Sequence, residues 1–183
     1  MIAFVTSIGE PTTDLCVWAL ERNGFEVTLV DDPNTTLAQK LKWIYNAALG
    51  INYLRVDSDI IVNRNMTPAF LNSLDDPDIW WWQFITFDWY KQDTTHSMAF
   101  IRAQASNALK GNIDRFQYAS RPETEVSRII ELHNPRRMAT YDKQIMGLHG
   151  YGIENLKPVI KLKASRGQSS NYDFELAMEL NKL

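Results

Sequence analysis

Residues 52–62 read NYLRVDSDIIV, and the reading of this stretch decides the fold. Apolar and β-branched side chains (Leu54, Val56, Ile60, Ile61, Val62) mark a buried strand, and two aspartates one residue apart, Asp57 and Asp59, sit within it. Side chains at i and i+2 of a strand share a face, so the spacing predicts that both carboxylates aim together. Ionised carboxylates about 6 to 7 Å apart along a strand repel each other unless a cation lies between them. Hard oxygen ligands favour Mg²⁺ or Mn²⁺ over zinc. Such a triplet also closes many strands in a solvated turn, so its surroundings must decide.

Upstream, Ile2–Val5 is a short apolar run followed by Thr6, Ser7 and Gly9, the pattern of a buried parallel strand ending in a polar loop. Leu15, Cys16, Trp18, Ala19 and Leu20 then recur at helical spacing, and Asn23-Gly24 is a helix stop. A second strand, FEVTLV at residues 25–30, ends in Asp31-Asp32, carboxylates placed either to meet a ribose or base or to cap a turn. Asn34, Thr35 or Thr36 can cap a helix to about Leu49, with Leu37, Leu41, Ile44, Tyr45 and Ala48 on one face. Lys40 and Lys42 fall off that stripe, either solvated or within reach of a diphosphate. Strand, helix, strand, helix, strand is a βαβαβ unit. Its right-handed crossovers make the sheet parallel and put ligands at the C-terminal edge of the strands.

This order, ending in KLKWIYNAALG and then INYLRVDSDIIV, resembles the nucleotide-sugar-binding half of a GT-A-type glycosyltransferase over residues 1–66. The resemblance implies one α/β, Rossmann-related domain over residues 1–183, with a mostly parallel central sheet flanked by helices. Residues 67–183 would form the acceptor and catalytic half. It further implies that Thr6, Ser7, Asp31, Asp32, Lys40, Asp57 and Ser58 hold a nucleotide-diphosphate sugar, and that Asp57 and Asp59 bind Mn²⁺ or Mg²⁺.

Downstream, Thr67-Pro68 opens a short helix, and IWWWQFITFDWY at residues 79–90 reads as an extended strand or a bent strand pair. Alternation sets Trp81 opposite Trp80 and Trp82. Trp81 and Trp82 are candidates for stacking on an acceptor, against the commoner role of aromatics in packing. HSMAFIR at residues 96–102 is a further strand, and His96 carries no specific signal. The helix opened by PETEVSRII at residues 122–130 has Glu123 and Glu125 in its first turn, which complements the helix dipole. In inverting members of the resembled family a carboxylate at this stage deprotonates the acceptor hydroxyl, which implies Glu125, with Glu123 close behind, as the base. His149, beside Gly150 and Gly152, resembles the late metal-ligand histidine of the same family. Lys161, Lys163 and Arg166 precede a polar loop, and a final amphipathic helix is expected from Tyr172 to Leu183.

Composition narrows the classes. The chain has 183 residues, 45% of them hydrophobic, and a formal charge of −3. That is enough to bury about 70% of the unfolded surface in one domain. With pI near 5.6 it lacks the basic footprint of a non-specific nucleic-acid binder. The lone Cys16 falls in an apolar helical pattern and suits a reducing cytoplasm. No run approaches the ~18 apolar residues of a membrane span. P-loop, GxGxxG and nucleophile-elbow motifs are absent. The expected activity is therefore metal-dependent sugar transfer, inverting, to a glycan, a small molecule or a modified nucleic acid. A homo-oligomer could complete the acceptor cleft. The alternatives are a non-catalytic nucleotide- or glycan-binding module of the same fold and a nucleotidyltransferase, against which the loop SIGEP is poor in glycine and basic residues.

Overall fold

The computed structural model describes residues 1–150, except 75, 90–91, 111, 113–121 and 134–137. The basic loop at Lys161, Lys163 and Arg166 and the helix expected from Tyr172 lie outside the described residues. The expected βαβαβ unit is present: β1 (Ile2–Thr6), α1 (Thr13–Arg22), β2 (Glu26–Val30), α2 (Leu37–Ala47) and β3 (Tyr53–Asp57). β1 lies between β2 and β3, parallel to both. Thr36 caps α2 in a capping box with Gln39, so two backbone N–H groups otherwise orphaned at that turn are satisfied.

Beyond β3 the chain forms β4 (Ile60–Val62), α3 (Pro68–Asn72), β5 (Trp81–Asp88), β6 (Asp93–Ile101), α4 (Ala103–Lys110), α5 (Pro122–His133), β7 (Met138–Tyr141) and β8 (Gly147–His149). The strand order is β2-β1-β3-β6-β5-β8-β4, with β7 also paired to β5. The sheet is mixed, which corrects the expectation of a mostly parallel one. β6 runs antiparallel to both β3 and β5. The link from Asp88 to Asp93 is far too short for the crossover that a parallel pair needs. β7 and β8 share the other edge of β5, one after the other, and run parallel to it.

Alternation along the strands divides two cores. Ala3, Val5, Leu54, Val56, Met98 and Phe100 pack under α1 with Cys16, Ala19 and Leu20. Phe4, Tyr53, Trp81, Ala99 and Ile101 pack under α2, α4 and α5. Trp82 joins the first core and Trp81 the second, as alternation requires. Trp80 packs with the same core as Trp81, against expectation, because it precedes the strand and alternation does not bind it.

The same argument corrects the reading of the two aspartates. Asp57 closes β3, Ser58 and Asp59 form a turn, and β4 leaves to pair with β8 rather than continuing the strand. The i, i+2 rule stops at that turn. The turn is pinned from both sides, by Ser58 N–H to the Thr6 carbonyl (2.9 Å) and Gly150 N–H to the Asp59 carbonyl (2.8 Å). Gly150 adopts φ 75, a left-handed conformation that glycine takes without strain.

Candidate active site

Three adjoining pockets lie along the C-terminal ends of β1, β2 and β3, and they share residues. The first, about 380 Å³, is lined by Leu29, Val30, Asp31, Asp32, Thr35, Gln39, Lys40 and Trp43. Asp31 and Asp32 are exposed at its mouth. Asp32 also accepts the Asn34 N–H, the turn-capping role. Trp43, which the sequence did not single out, is 50% exposed there, its ring set edge-on to Phe4. The sign was available: Trp43 stands on α2 outside the buried stripe.

A narrow second pocket joins Thr6, Ser7, Ile8, Glu10, Leu37, Lys40 and Asp57. Here most polar groups are committed to one another. Lys40 is buried and donates to the Ser7 carbonyl, so it is neither solvated nor extended outward. Buried Glu10 gathers the Ser7 hydroxyl (3.0 Å), the Ile8 N–H (2.8 Å) and the Ser58 hydroxyl (2.6 Å) on one carboxylate oxygen. Ser7 and Ser58 thus tie the loop after β1 to the turn after β3 through Glu10, a residue the sequence reading overlooked. Thr6 donates to Asp57 across the strand ends (2.7 Å).

The third pocket is a cleft of about 350 Å³ between the sheet and α5. Arg55, Asp57, Trp81, Gln83 and His149 belong to its sheet side, and Glu123, Thr124 and Ser127 to its helix side. Glu125, two residues and about 200° further round the helix, does not line it. Of the two glutamates expected as the base, Glu123 is the one that lines the cleft. Trp81 lines the cleft, whereas Trp82 faces the opposite core. Burial holds the Asp57 carboxyl above the usual carboxylate range. Asp59 and Glu123 add to this, while Arg55 and the Thr6 hydrogen bond oppose it.

Asp59 is only 2% exposed and meets His149, with Oδ2 3.3 Å from Nε2. The other ring nitrogen, Nδ1, lies 3.0 Å from Oδ2 of Asp88, which is buried at the end of β5. Asp88 carried no signal in the sequence, since only the pairing of β5 with β8 brings it beside His149. A carboxylate on the far nitrogen of a histidine is the usual support of a metal-binding imidazole. The 3.3 Å between Asp59 and His149 is also close to the ~3 Å separating neighbouring ligands of a six-coordinate cation with bonds near 2.1 Å. Asp59 and His149 therefore fit Mg²⁺ or Mn²⁺. Among the described residues no three His, Cys, Asp or Glu side chains converge as a cation site.

Comparison with protein-family profiles and with curated proteins gives no match. Solved structures do share the fold. One is a glycosyltransferase involved in the glycosylation of the major capsid of PBCV-1, with TM-score 0.58 and 16% identity, covering 91% of this chain and 97% of that one. Another is the glycosyltransferase GlyE of Streptococcus pneumoniae TIGR4, with TM-score 0.51 and 9% identity over 99% of this chain and 63% of that one. A protein assigned as a glucose-1-phosphate thymidylyltransferase from Bacillus anthracis, in complex with a sucrose, has TM-score 0.54 and 9% identity, covering 96% and 99%. At such identities the likeness defines the fold, a curled mixed sheet flanked by helices that glycosyltransferases also use. No helix among the described residues is long and apolar enough to cross a membrane.

Proposed function

We propose that this protein is a divalent-cation-dependent glycosyltransferase that moves a sugar from a nucleotide-diphosphate sugar to an acceptor hydroxyl with inversion. The observation that carries the reading is the sharing of residues between pockets: Lys40 belongs to the first and second, Asp57 to the second and third. A nucleoside in the first pocket, stacked on Trp43 with Asp31 at its ribose, would lead its diphosphate past Thr6 and Ser7 towards Asp57. The sugar then lies in the cleft. Asp59 and His149 would hold the cation, which supplies positive charge to a departing diphosphate. With the cation bound, the Nδ1 contact with Asp88 would keep the imidazole proton on that nitrogen and leave the Nε2 lone pair for the metal.

Glu123, across the cleft from the strand ends, is the base that takes the acceptor proton. Glu10, Ser7, Ser58 and Lys40 hold the two loops at fixed spacing, so little reorganisation is needed when the donor binds. Calorimetry with uridine and guanosine diphosphate sugars tests the reading: binding is expected with Mn²⁺ and lost with EDTA. Equal affinity under both conditions counts decisively against it. Slow release of nucleoside diphosphate without acceptor separates an enzyme from a binding module. Release of pyrophosphate from a nucleoside triphosphate and a sugar phosphate would instead favour the nucleotidyl-transfer reading, which the thymidylyltransferase neighbour keeps in view.

A further inference from the structure

Arg55 is a buried cation that faces the charges of Asp57 and Glu123 while two of its nitrogens lack a hydrogen-bond partner. Strand alternation sends Leu54 and Val56 into one core and leaves Arg55, between Tyr53 and Asp57, on the face beneath α5. In the register of the sheet, Phe4, Arg55, Ala99 and Gln83 lie in one row across β1, β3, β6 and β5. Ala99 contributes only a methyl group, so the space between the Arg55 and Gln83 side chains stays open as part of the cleft.

Arg55 is 6% exposed, and its Nε and Nη1 have no hydrogen-bond partner among the described residues. It lies 5.9 Å from the centre of the Trp81 ring, whose own Nε1 also lacks a partner. Desolvating guanidinium N–H groups without hydrogen bonds is costly, and charges nearby do not replace an acceptor at Nε and Nη1. The charges of Asp57 and Glu123 act on it from nearby without bonding to it. Arginine only donates, as does indole N–H, so the complementary group is an acceptor, and an anionic one to match a fixed positive charge. A diphosphate at Thr6 and Ser7 belongs to the strand ends, whereas Arg55 stands two residues back along β3, beneath the sugar position.

We propose that Arg55 binds the carboxylate of a sugar acid in this cleft, on either the transferred sugar or the accepting one. The inference rests on the glycosyltransferase reading for its choice of a sugar, and it narrows that reading to uronate-type substrates.

The test measures affinities by calorimetry and ligand-observed NMR for UDP-glucuronate, UDP-glucose and UDP, and for methyl glucuronoside against methyl glucoside. A charge-assisted hydrogen bond predicts that one uronate of a matched pair binds about 10- to 100-fold more tightly than its neutral partner. The donor pair or the glycoside pair showing the preference tells which sugar carries the acid. Arg55→Met should abolish the preference and leave UDP affinity unchanged. Arg55→Lys, which keeps the charge and loses the planar fork, should retain a reduced preference and guards against misfolding of the first variant. No uronate preference in the wild type, a full preference in Arg55→Met, or an equal loss of UDP itself would each overturn the assignment. Failure of both UDP and GDP to bind the wild type with Mn²⁺ sinks the glycosyltransferase reading separately, and the glycoside pair still decides the role of Arg55.

Discussion

The pocket beside β2 and the cleft beneath α5 are nearly equal in size, about 380 and 350 Å³, and are built in opposite ways. All residues lining the first come from positions 29–43, one strand end and the helix that follows, and two of its largest walls, Leu29 and Trp43, are exposed apolar surface. The cleft draws on β3, β5, β6, β8 and α5, and it gathers Arg55, Asp57, His149 and Glu123 in one space. The first suits a flat, weakly polar group recognised by stacking. The second gathers charge in one partly enclosed space, where small changes of charge alter a reaction most. On the proposed function, one pocket sets affinity and the other sets rate.

The largest expected effect tests the rate side. Glu123→Gln should lower transfer about 10²- to 10⁴-fold while donor affinity stays nearly constant, as for a group used mainly in the transition state. Glu125→Gln, outside the cleft, should leave turnover close to wild type. Steady-state kinetics on the two variants decide between them, and full activity in Glu123→Gln would remove the base from α5.

A smaller effect tests the affinity side. Base stacking on an aromatic ring is worth about 1 to 3 kcal/mol, so Trp43→Ala should raise the donor KM about 5- to 100-fold with kcat little changed. Loss of kcat at constant KM in this variant would show that the two pockets do not divide the work in this way.

The contrast also explains what could be read from the sequence. A pocket made of consecutive residues follows from local pattern, and the helix caps, the strand ends and Asp31 were all predictable from residues 1–66. The cleft depends on β5 and β6 turning back antiparallel and on β8 pairing with the far edge of β5. Those pairings bring Asp88 to His149 and Gln83 into line with Arg55, and no local periodicity encodes them. Arg55 was nearer to hand. It stands two residues before Asp57 on the same strand, so alternation already placed it beside that carboxylate. The assumption that strand geometry ran unbroken from Asp57 to Asp59 failed for a local reason, since Ser58 is locked to Glu10 and Thr6 in a turn. Gly147 shows a similar limit: a Cβ there would come within 3.0 Å of the Ile61 carbonyl, a close approach visible only once β4 and β8 are paired.

The smallest effect concerns the aspartates themselves, and it separates a residue of the cleft wall from one packed beside it. In the cation-free protein the His149 ring lies between Asp59 and Asp88 and has a donor at Nε2 when that nitrogen carries a proton; Asp59→Asn keeps an oxygen facing the ring while losing the charge that strengthens this contact. The cation-free protein should be destabilised by about 1 kcal/mol. Asp57 differs, because burial raises its pKa and the pull of Arg55 and Thr6 does not fully compensate. A group with a raised folded-state value contributes its stability in full below its ordinary pKa of 3.8, and that contribution is lost as pH rises through the folded value. At pH 7 the ionised Asp57 therefore weakens the empty fold. Asp57→Asn should raise the melting temperature there, and the gain should vanish as pH falls below about 4. Melting curves in EDTA at the two pH values measure both substitutions, with opposite signs expected at neutral pH. Equal destabilisation by both would mean that the two carboxylates share one environment, as simple strand alternation implies, and the distinction between the cleft wall and the packed His149 contact would be lost.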